Sequence, residues 1–256
     1  MSNMIKILDM TDSEIVDTIQ SGKLNICVIG IGRIGLPTAL SFANSGLPTI
    51  GVDINEKLVE MITSRNFPLN DEPGYDIIFD KVINENKFKA TTSFSEGVSS
   101  SDVIVLSLPT PMDEKNIPDY SSLLSIAKKL HDEISDGKLI IIESTVEPGF
   151  VENDFLKIIE GDDNKLKLGK NFALGVCPET ANPGQILNDF ERLPRLVGAM
   201  DEHTQNLITK IYKHVFTVEL IPMPNCKTAN AVKLTTNVFR DLNIAFVNEL
   251  ALIFEK

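Results

Sequence analysis

A glycine-rich turn between an apolar strand and a helix constrains the fold of this chain more than any other feature. An apolar run over residues 24–29 leads into G-I-G-R-I-G at residues 30–35, and a helical pattern follows at once. In such a turn Gly30 permits the tight bend, Gly32 lets the backbone approach a pyrophosphate, and Gly35 allows the helix to pack closely on the strand. The exposed start of the helix offers amide donors to phosphate groups. The pattern predicts a dinucleotide-binding site in a Rossmann-like fold.

A carboxylate at the end of the next strand indicates which dinucleotide binds. Asp53 follows the predicted strand at residues 49–52. It stands about 20 residues beyond the last glycine, where such a carboxylate accepts hydrogen bonds from the ribose hydroxyls of NAD. The same charge repels the 2′-phosphate of NADP. Arg33 and Lys57 are cations that would favour a phosphate, and they are the evidence against this interpretation. We predict NAD as the cofactor.

Strands and helices alternate along most of the chain. The strand-like runs are apolar nearly throughout, as in strands that are covered on both faces, and repeated strand–helix units imply right-handed crossovers. A capping box at Thr11 and Glu14 predicts a short helix over residues 11–20. We therefore predict an α/β, Rossmann-like, doubly wound parallel sheet, with residues 1–222 forming the NAD-binding domain. The predicted strands occupy residues 24–29, 49–52, 103–108, 139–142, 172–176 and 196–198, and the predicted helices residues 34–45, 56–65, 120–134, 150–159 and 202–215.

The pattern changes after Pro224. Residues 225–256 contain no glycine or proline, and apolar residues recur at helical spacing. This predicts a single helix about 45–50 Å long. We expect residues 223–256 to be the start of a long connecting helix that belongs to a truncated helical central domain. Such a helix leads into a second domain or forms a contact between two copies, and we predict a homodimer through residues 225–256.

Composition argues against several other classes of protein. The formal net charge is −12, from 24 Lys and Arg against 36 Asp and Glu, so we expect no surface for nucleic acid or an anionic membrane. The apolar runs are far shorter than the roughly 20 residues of a membrane span, and no secretory signal is visible. Three widely separated cysteines and no zinc-type spacing indicate reduced thiols and no metal site. These features predict a cytoplasmic protein.

Polar or turn-forming residues follow three predicted strands, at the edge where ligands bind in such sheets. Pro109 and Thr110 follow one strand, Ser144 and Thr145 the next, and Glu179 a third. Glu179 precedes a loop with few charges, which favours a role as a general base. Two alternatives stay open: a hydroxyl at 144 or 145 that only caps the following helix, and a salt-bridged loop carboxylate at 179. The predicted cofactor-binding residues are thus Gly30, Gly32, Arg33, Ile34, Gly35, Asp53, Pro109, Thr110 and Thr145.

Three polar residues share one face of the long helix. Lys233, Asn237 and Arg240 stand at positions i, i+4 and i+7, and flanking apolar residues would hold that face at a fixed angle. A lysine, an amide and an arginine aligned in this way suit an oxyanion and the phosphate or acid group of a nucleotide-linked substrate. A solvated polar face would show the same spacing, so that alternative also stays open.

Short motifs follow one another in a characteristic order. They are G-I-G-R-I-G-L-P (30–37), V-D-I-N (52–55), E-P-G (72–74), L-P-T-P (108–111), E-S-T-V-E-P-G (143–149), C-P-E (177–179) and A-V-K-L-T-T-N-V-F-R-D-L-N-I-A-F-V-N-E-L (231–250). With these motifs the chain resembles the UDP-glucose/GDP-mannose dehydrogenase family over nearly its whole length. Taken together the motifs are highly specific for that family.

One loop is similar to a particular branch of the family. P-E-T-A-N-P-G at residues 178–184 is similar to the loop of the UDP-N-acetylhexosamine enzymes, whereas UDP-glucose enzymes carry a glutamate where Pro183 stands. The N-terminal helix followed by S-G-K-L at residues 21–24 is also similar to archaeal UDP-N-acetyl-D-mannosamine dehydrogenases. The resemblance therefore implies a UDP-N-acetylhexosamine substrate, UDP-N-acetylmannosamine in particular.

The resemblance implies a four-electron oxidation of the sugar C6 hydroxyl to the uronate, with two NAD⁺ reduced, for the synthesis of polysaccharide or glycan precursors. In the family a cysteine captures the intermediate aldehyde as a thiohemiacetal, which is oxidised to a thioester and hydrolysed. By position, Thr145, Lys233 and Asn237 match groups that hold the catalytic water and stabilise oxyanions. Glu179 matches the carboxylate that acts as acid and base in thioester hydrolysis. Arg240 matches a residue that contacts substrate or the partner subunit.

The chain departs from the family at the nucleophile. The family's catalytic cysteine lies in a G-G-x-C segment after the long helix, and no such segment occurs here. Cys27 lies in the first predicted strand, Cys177 in the C-P-E motif, and Cys226 just before the long helix. We therefore expect an amino-terminal portion of such an enzyme, which binds NAD but does not complete the reaction by itself.

Three other functions stay open at this point. The first is a UDP-glucose 6-dehydrogenase, which belongs to the same family. The second is a β-hydroxyacid dehydrogenase, since that group shares a Rossmann domain, a long helix and a Lys-x-x-x-Asn pair; Lys233 would then be the general acid without any cysteine. The third is a non-catalytic, truncated subunit that binds dinucleotide or pairs with a full-length partner.

Overall fold

An eight-stranded sheet lies at the centre of the computed structural model, which describes residues 6–163 and 165–255. Residues 1–5 and 164 of the predicted domain and residue 256 of the predicted long helix lie outside the described residues. The strands are β1 (Ile26–Ile29), β2 (Thr49–Val52), β3 (Phe88–Thr91), β4 (Val103–Leu106), β5 (Lys138–Ile142), β6 (Phe172–Val176), β7 (Arg195–Ala199) and β8 (Leu220–Pro222).

Helices cover the connections between these strands. The predicted capping box is confirmed: the Thr11 backbone amide donates to the Glu14 carboxylate at 2.8 Å, and the Glu14 amide donates back to the Thr11 hydroxyl. The helices are α1 (Asp12–Gln20), α2 (Gly35–Asn44), α3 (Glu56–Thr63), α4 (Tyr75–Asn84), α5 (Phe94–Ser99), α6 (Ser121–Glu133), α7 (Leu156–Glu160), α8 (Ile186–Arg192), α9 (Glu202–Val215) and α10 (Cys226–Phe254). A π-helical turn over Val151–Phe155 leads into α7.

The strand order is β3-β2-β1-β4-β5-β6-β7-β8, which confirms the predicted Rossmann-like fold. After β3 the chain returns to the other side of β1, so the order of strands reverses between β1 and β4. The crevice outside the carboxyl ends of the strands at such a reversal is where open α/β sheets bind ligands. The turns that follow β1, β2, β4, β5 and β6 all lie at that edge.

One pair of strands differs from the predicted parallel arrangement. β7 runs antiparallel to β6, with Gly175 opposite Ala199, while the other neighbouring pairs are parallel. The connection between them contains only the seven-residue α8, which is about 10 Å long. The chain does not cross back along the sheet in this connection, so β7 starts at the edge where β6 ended. Apolar content alone does not report this reversal, because buried strands of either direction are apolar.

The core has two layers, one on each face of the sheet. Along β1, Ile26 and Val28 face the layer formed with α2, α4 and α9, while Cys27 and Ile29 face the layer formed with α6 and α7. This alternation follows from the two-residue period of a strand. Burial of each large apolar side chain contributes about 1.5–3 kcal/mol, so the apolar runs in the sequence stabilise both layers at once.

The long predicted helix is confirmed as α10, which begins after the capping side chain of Asn225. Its first turn packs on β7, where a Cβ added to Gly198 would lie 2.7 Å from the Asn225 carbonyl oxygen. From Phe239 onward most of its apolar side chains are more than half exposed. Within residues 6–163 and 165–255, no helix combines the length and apolar character needed to cross a membrane.

Candidate active site

The glycine-rich turn has the geometry that the sequence predicts. Gly30 follows β1 with φ of +86°, and a Cβ there would lie 2.6 Å from the Ser107 carbonyl oxygen. A Cβ on Gly35 would overlap the Gly30 carbonyl oxygen, so only glycine lets α2 start this close to β1. Gly32 has open space where its Cβ would stand. Its backbone is therefore accessible to a pyrophosphate at the start of α2.

Asp53 lies at the end of β2 on the same edge. One oxygen of its carboxylate accepts the Asn55 backbone amide at 2.9 Å, which fixes the side chain at the rim of the cleft. The charge of the nearby Arg33 guanidinium is already paired, because it forms an ion pair with Asp71 and lies 3.3 Å from Glu72. A cation that is already neutralised offers little to a 2′-phosphate, so the arrangement fits the ribose hydroxyls of NAD.

The ends of β4 and β5 are tied together by hydroxyl groups. The Ser144 hydroxyl accepts the Leu108 amide at 2.8 Å, and the Thr110 hydroxyl donates to the Thr145 carbonyl oxygen at 2.9 Å. The alternative in which the hydroxyl of Ser144 or Thr145 only caps the following helix is wrong, since the helical turn that starts after Phe150 has no side-chain cap. These bonds hold the strand ends as one wall of a cleft.

That cleft has a volume of about 990 Å³, near the upper end of the usual size of ligand pockets. Gly35 does not line the cleft, because it packs against the Gly30 backbone. The other predicted cofactor-binding residues all line the cleft: Gly30, Gly32, Arg33, Ile34, Asp53, Pro109, Thr110 and Thr145. The open space at Gly32 and the carboxylate at Asp53 fit the pyrophosphate and ribose of a dinucleotide. The residues present therefore suit NAD.

Glu179 lies where the cleft meets a second cluster of polar residues. It follows β6, lines the cleft, and accepts the backbone amide of Ala181 with its carboxylate. Lys233, on α10, is only 7% exposed. Burial lowers the pKa of the Lys233 ammonium, whereas the negative charge of Glu179 acts in the opposite direction. A buried ammonium that is influenced by the charge of a carboxylate in the cleft is an arrangement that can exchange protons with a reacting group.

The polar face of α10 docks on the loop that carries Glu179. Arg240 donates to the side-chain oxygen of Asn182 at 2.7 Å and to that of Asn237 at 3.2 Å. Asn182 is held in turn by the Asp189 carboxylate, which accepts its backbone and side-chain nitrogens at 2.8 and 3.0 Å. The alternative of a purely solvated polar face is therefore wrong. None of the three α10 residues lines the cleft, so Glu179 is the predicted residue shared by both parts of the site.

The sequence model of the UDP-glucose/GDP-mannose dehydrogenase family, NAD binding domain, matches residues 24–216, from the strand before the glycine turn to the end of α9. This chain belongs to the UDP-glucose/GDP-mannose dehydrogenase family. Its cofactor is the NAD of that domain, in agreement with the cleft and with the prediction from Asp53. The predicted β-hydroxyacid alternative loses its support, because the family match covers most of the chain.

Relatives from several organisms are similar over nearly the whole chain. The UDP-N-acetyl-D-mannosamine dehydrogenase of Campylobacter jejuni is 35% identical over 238 residues, which make up 90% of this chain and 57% of that protein. Protein CapL of Staphylococcus aureus is 34% identical over 236 residues, 91% of this chain and 53% of that protein. The solved structure of the UDP-D-ManNAc dehydrogenase from Pyrococcus horikoshii matches with a TM-score of 0.83 at 34% identity, covering 90% of this chain and 54% of that one. The chain thus spans just over half the length of these relatives.

Sequence reasoning missed a buried ion pair beneath the cleft of this family member. Glu143 accepts the Tyr212 hydroxyl at 2.8 Å, the Thr38 hydroxyl at 3.2 Å and the Arg195 guanidinium at 3.3 Å. Arg195 is stacked between the rings of Phe190 and Phe216, at 4.3 and 3.9 Å. Burial raises the pKa of Glu143, and the positive charge of Arg195 opposes that shift. Two features of the sequence could have indicated this pair: Glu143 directly follows the apolar strand β5, and Arg195 is the first residue of the apolar strand β7.

The three cysteines do not have the surroundings of a nucleophile. All are buried, and burial raises the pKa of each thiol, to about 12 for Cys177 and for Cys226. Catalytic cysteines need a lowered pKa and access to substrate. Cys27 in β1, Cys177 after β6 and Cys226 at the start of α10 are therefore packing residues.

Proposed function

We propose that the protein to which this chain belongs oxidises the C6 hydroxyl of a UDP-N-acetylhexosamine, UDP-N-acetylmannosamine in particular, to the uronate. The observation that carries the proposal is that Glu179 lines the NAD cleft while its loop is bonded to the α10 cluster through Asn182 and Arg240. Each alcohol consumes two NAD⁺ and one water and yields the carboxylate, two NADH and three protons. Bound NAD⁺ supplies the hydride acceptor in both oxidations.

The roles of the chain's own residues follow from their positions. Lys233 and Asn237 would stabilise negative charge on the C6 oxygen from the α10 side, and Thr145 would face it from the end of β5. Glu179, between them, would take a proton from the attacking water and return it later. Arg240 would contact the substrate or a partner subunit, since its guanidinium lies on the exposed side of the cluster. These roles rest on the juxtaposition of the two parts of the site.

The loop at residues 178–184 favours an N-acetylated sugar. Pro183 stands where the UDP-glucose enzymes of the family carry a glutamate, and the relatives named above include UDP-N-acetyl-D-mannosamine dehydrogenases. We therefore place UDP-glucose second. In this proposal the uronate product serves as a precursor for polysaccharide or glycan synthesis in the cytoplasm.

We propose further that the active form is a homodimer joined through residues 225–256. The exposed side chains of Phe239, Leu242 and Phe246 lie within one stripe of α10, and each is more than 60% exposed. An exposed apolar patch of this kind marks a surface that is covered by another element or chain. A second copy of the same helix offers a matching apolar stripe.

The proposal is tested by the protein immunopurified from its source with an antibody against residues 1–256. Incubation with NAD⁺ and UDP-N-acetylmannosamine is expected to give two NADH per sugar, measured by absorbance and by mass of the uronate product. UDP-glucose at the same concentration serves as the matched alternative substrate. Turnover of UDP-glucose alone would assign the protein as a UDP-glucose 6-dehydrogenase. No turnover of either sugar would favour a non-catalytic subunit.

The 256-residue chain is tested separately. We expect it to bind NAD⁺ by calorimetry and to produce no sustained NADH from UDP-N-acetylmannosamine, because its three thiols are buried. Steady formation of two NADH per sugar by this chain would overturn the assignment of those cysteines.

A further inference from the structure

The turn formed by residues 71–75, which contains the E-P-G motif, connects parts of the site that the proposed roles leave unconnected. Glu72 is the first residue of the motif, and its side chain is completely buried. One of its oxygens accepts the Gly184 amide at 2.6 Å and lies 3.3 Å from the Arg33 guanidinium. The other accepts the Ile186 amide at 3.3 Å. A single carboxylate therefore joins the glycine-rich turn to the loop that carries Glu179.

The neighbours of Glu72 make contacts with the same two elements. A Cβ added to Gly74, whose φ is +87°, would lie 2.6 Å from a methyl group of Leu187, so the turn packs directly against the start of α8. The Tyr75 hydroxyl lies 3.1 Å from that of Ser41 on α2, the helix that follows the glycine-rich turn. These contacts are separate from the carboxylate bonds, and they place the turn between the NAD side and the catalytic side of the site.

We propose that Glu72 is a positioning residue that couples occupation of the NAD cleft to the loop at residues 178–186. A dinucleotide at residues 30–35 restricts Arg33, which is the cation that faces Glu72. A fixed Arg33 holds the carboxylate on the amides of Gly184 and Ile186, and this holds the loop. The catalytic consequence rests on the proposed function, because that loop positions Glu179 and pairs Asn182 with Arg240.

Amide hydrogen exchange of the 256-residue chain, with and without saturating NAD⁺, tests the coupling. In the unsubstituted chain NAD⁺ is expected to slow exchange at Gly184 and Ile186 roughly tenfold, the size of effect that follows from stabilising a hydrogen bond to a charged group. In Glu72→Gln the neutral amide no longer attracts Arg33. NAD⁺ should still bind to this variant, while its effect on those two amides falls below about twofold.

Asp71→Asn is the matched control. It removes the exposed carboxylate that shares Arg33 but leaves Glu72 and its two amide partners in place, so the response of Gly184 and Ile186 to NAD⁺ should persist. A purely structural role for Glu72 would change exchange equally with and without NAD⁺. The ratio between the two conditions therefore reports coupling rather than folding.

Two results would overturn the inference. The first needs no variant: NAD⁺ bound to the unsubstituted chain without slower exchange at Gly184. The second is an undiminished response in Glu72→Gln. Failure of the proposed function is recognised separately. If the chain shows the NAD⁺ response but its source protein oxidises no UDP-sugar, the coupling stands and only the assigned substrate is wrong.

Discussion

The Arg240 guanidinium donates to the Asn182 side-chain oxygen at 2.7 Å and so fastens the long helix to the loop that carries Glu179. The two residues are 58 positions apart in the chain. Asn182 is itself held by two bonds to Asp189, so the loop is braced from both sides before any substrate arrives. Bracing of this kind limits reorganisation when charge develops in a reaction.

Two glycines of the dinucleotide turn should respond differently to the same substitution. Gly32→Ala is expected to leave the free energy of unfolding unchanged or raise it by up to about 1 kcal/mol, because its Cβ meets open space. The same Cβ obstructs the pyrophosphate, so NAD⁺ affinity should fall at least about tenfold. Gly35→Ala should instead lower the free energy of unfolding by about 1–3 kcal/mol, since its Cβ overlaps the Gly30 carbonyl oxygen. Urea unfolding and calorimetric titration separate these effects, and equal losses of stability would contradict the geometry.

The buried carboxylate of Glu143 should contribute more to the free energy of unfolding than an exposed carboxylate nearby in the chain. Glu143→Gln leaves the Arg195 cation buried without its partner, so the free energy of unfolding is expected to fall by about 3–5 kcal/mol. The exposed Glu147, in the turn that follows β5, gives the control, and Glu147→Gln should change stability by less than about 0.5 kcal/mol. Urea unfolding at pH 7 measures both. Comparable effects of the two substitutions would show that the ion pair contributes little.

The pH dependence of unfolding should report the burial of Lys233. Burial lowers the pKa of this ammonium in the folded chain, with Glu179 opposing the shift and Arg240 adding to it. Between that pKa and the ordinary lysine value the unfolded chain binds more protons, so this group makes the free energy of unfolding rise as pH increases. In Lys233→Met this rise should be missing. The free energy of unfolding of the unsubstituted chain should therefore increase relative to that of the variant as pH approaches the ordinary lysine pKa.

Urea unfolding between neutral pH and about pH 10 checks this expectation. Lys227→Met is the control for removing a cation from an exposed position of the same helix. Parallel curves for the unsubstituted chain and Lys233→Met would contradict the burial of the ammonium.

The apolar stripe of α10 should decide the oligomeric state. If a second copy covers it, light scattering should give twice the mass of one chain, and Leu242→Glu with Phe246→Glu should give a single-chain mass. Asn248→Glu adds one negative charge at a position that is already polar and should leave the double mass unchanged. A single-chain mass for the unsubstituted protein at high concentration would count against the homodimer.

Most strands and helices were predictable because each is specified by a few adjacent residues. The apolar runs of β1, β4 and β5 and the 3.6-residue period of α9 are visible without any tertiary information. The edge strand β3 escaped prediction since only one of its four residues is buried. The direction of β7 escaped prediction for another reason: apolar content does not record whether a buried strand runs parallel or antiparallel to its neighbour.

The site divides in the same way. The residues of the NAD cleft were predictable, because the carboxyl ends of neighbouring parallel strands meet at one edge and the glycines have a local geometric role. The pairing of Arg33 with Glu72 was not, nor was that of Glu143 with Arg195, which are 52 residues apart. A motif can mark a glutamate as unusual without indicating which cation it meets.

The sequence by itself determined most of the strands and helices, the glycine turn and the position of Asp53 at the end of β2, since each of these depends on residues close together in the chain. Only the tertiary structure decided which charges are buried and paired, how α10 docks on the loop at 178–186, and that Glu72 lies between the two halves of the site. Those outcomes depend on strand order and helix placement, which bring distant residues within hydrogen-bond distance.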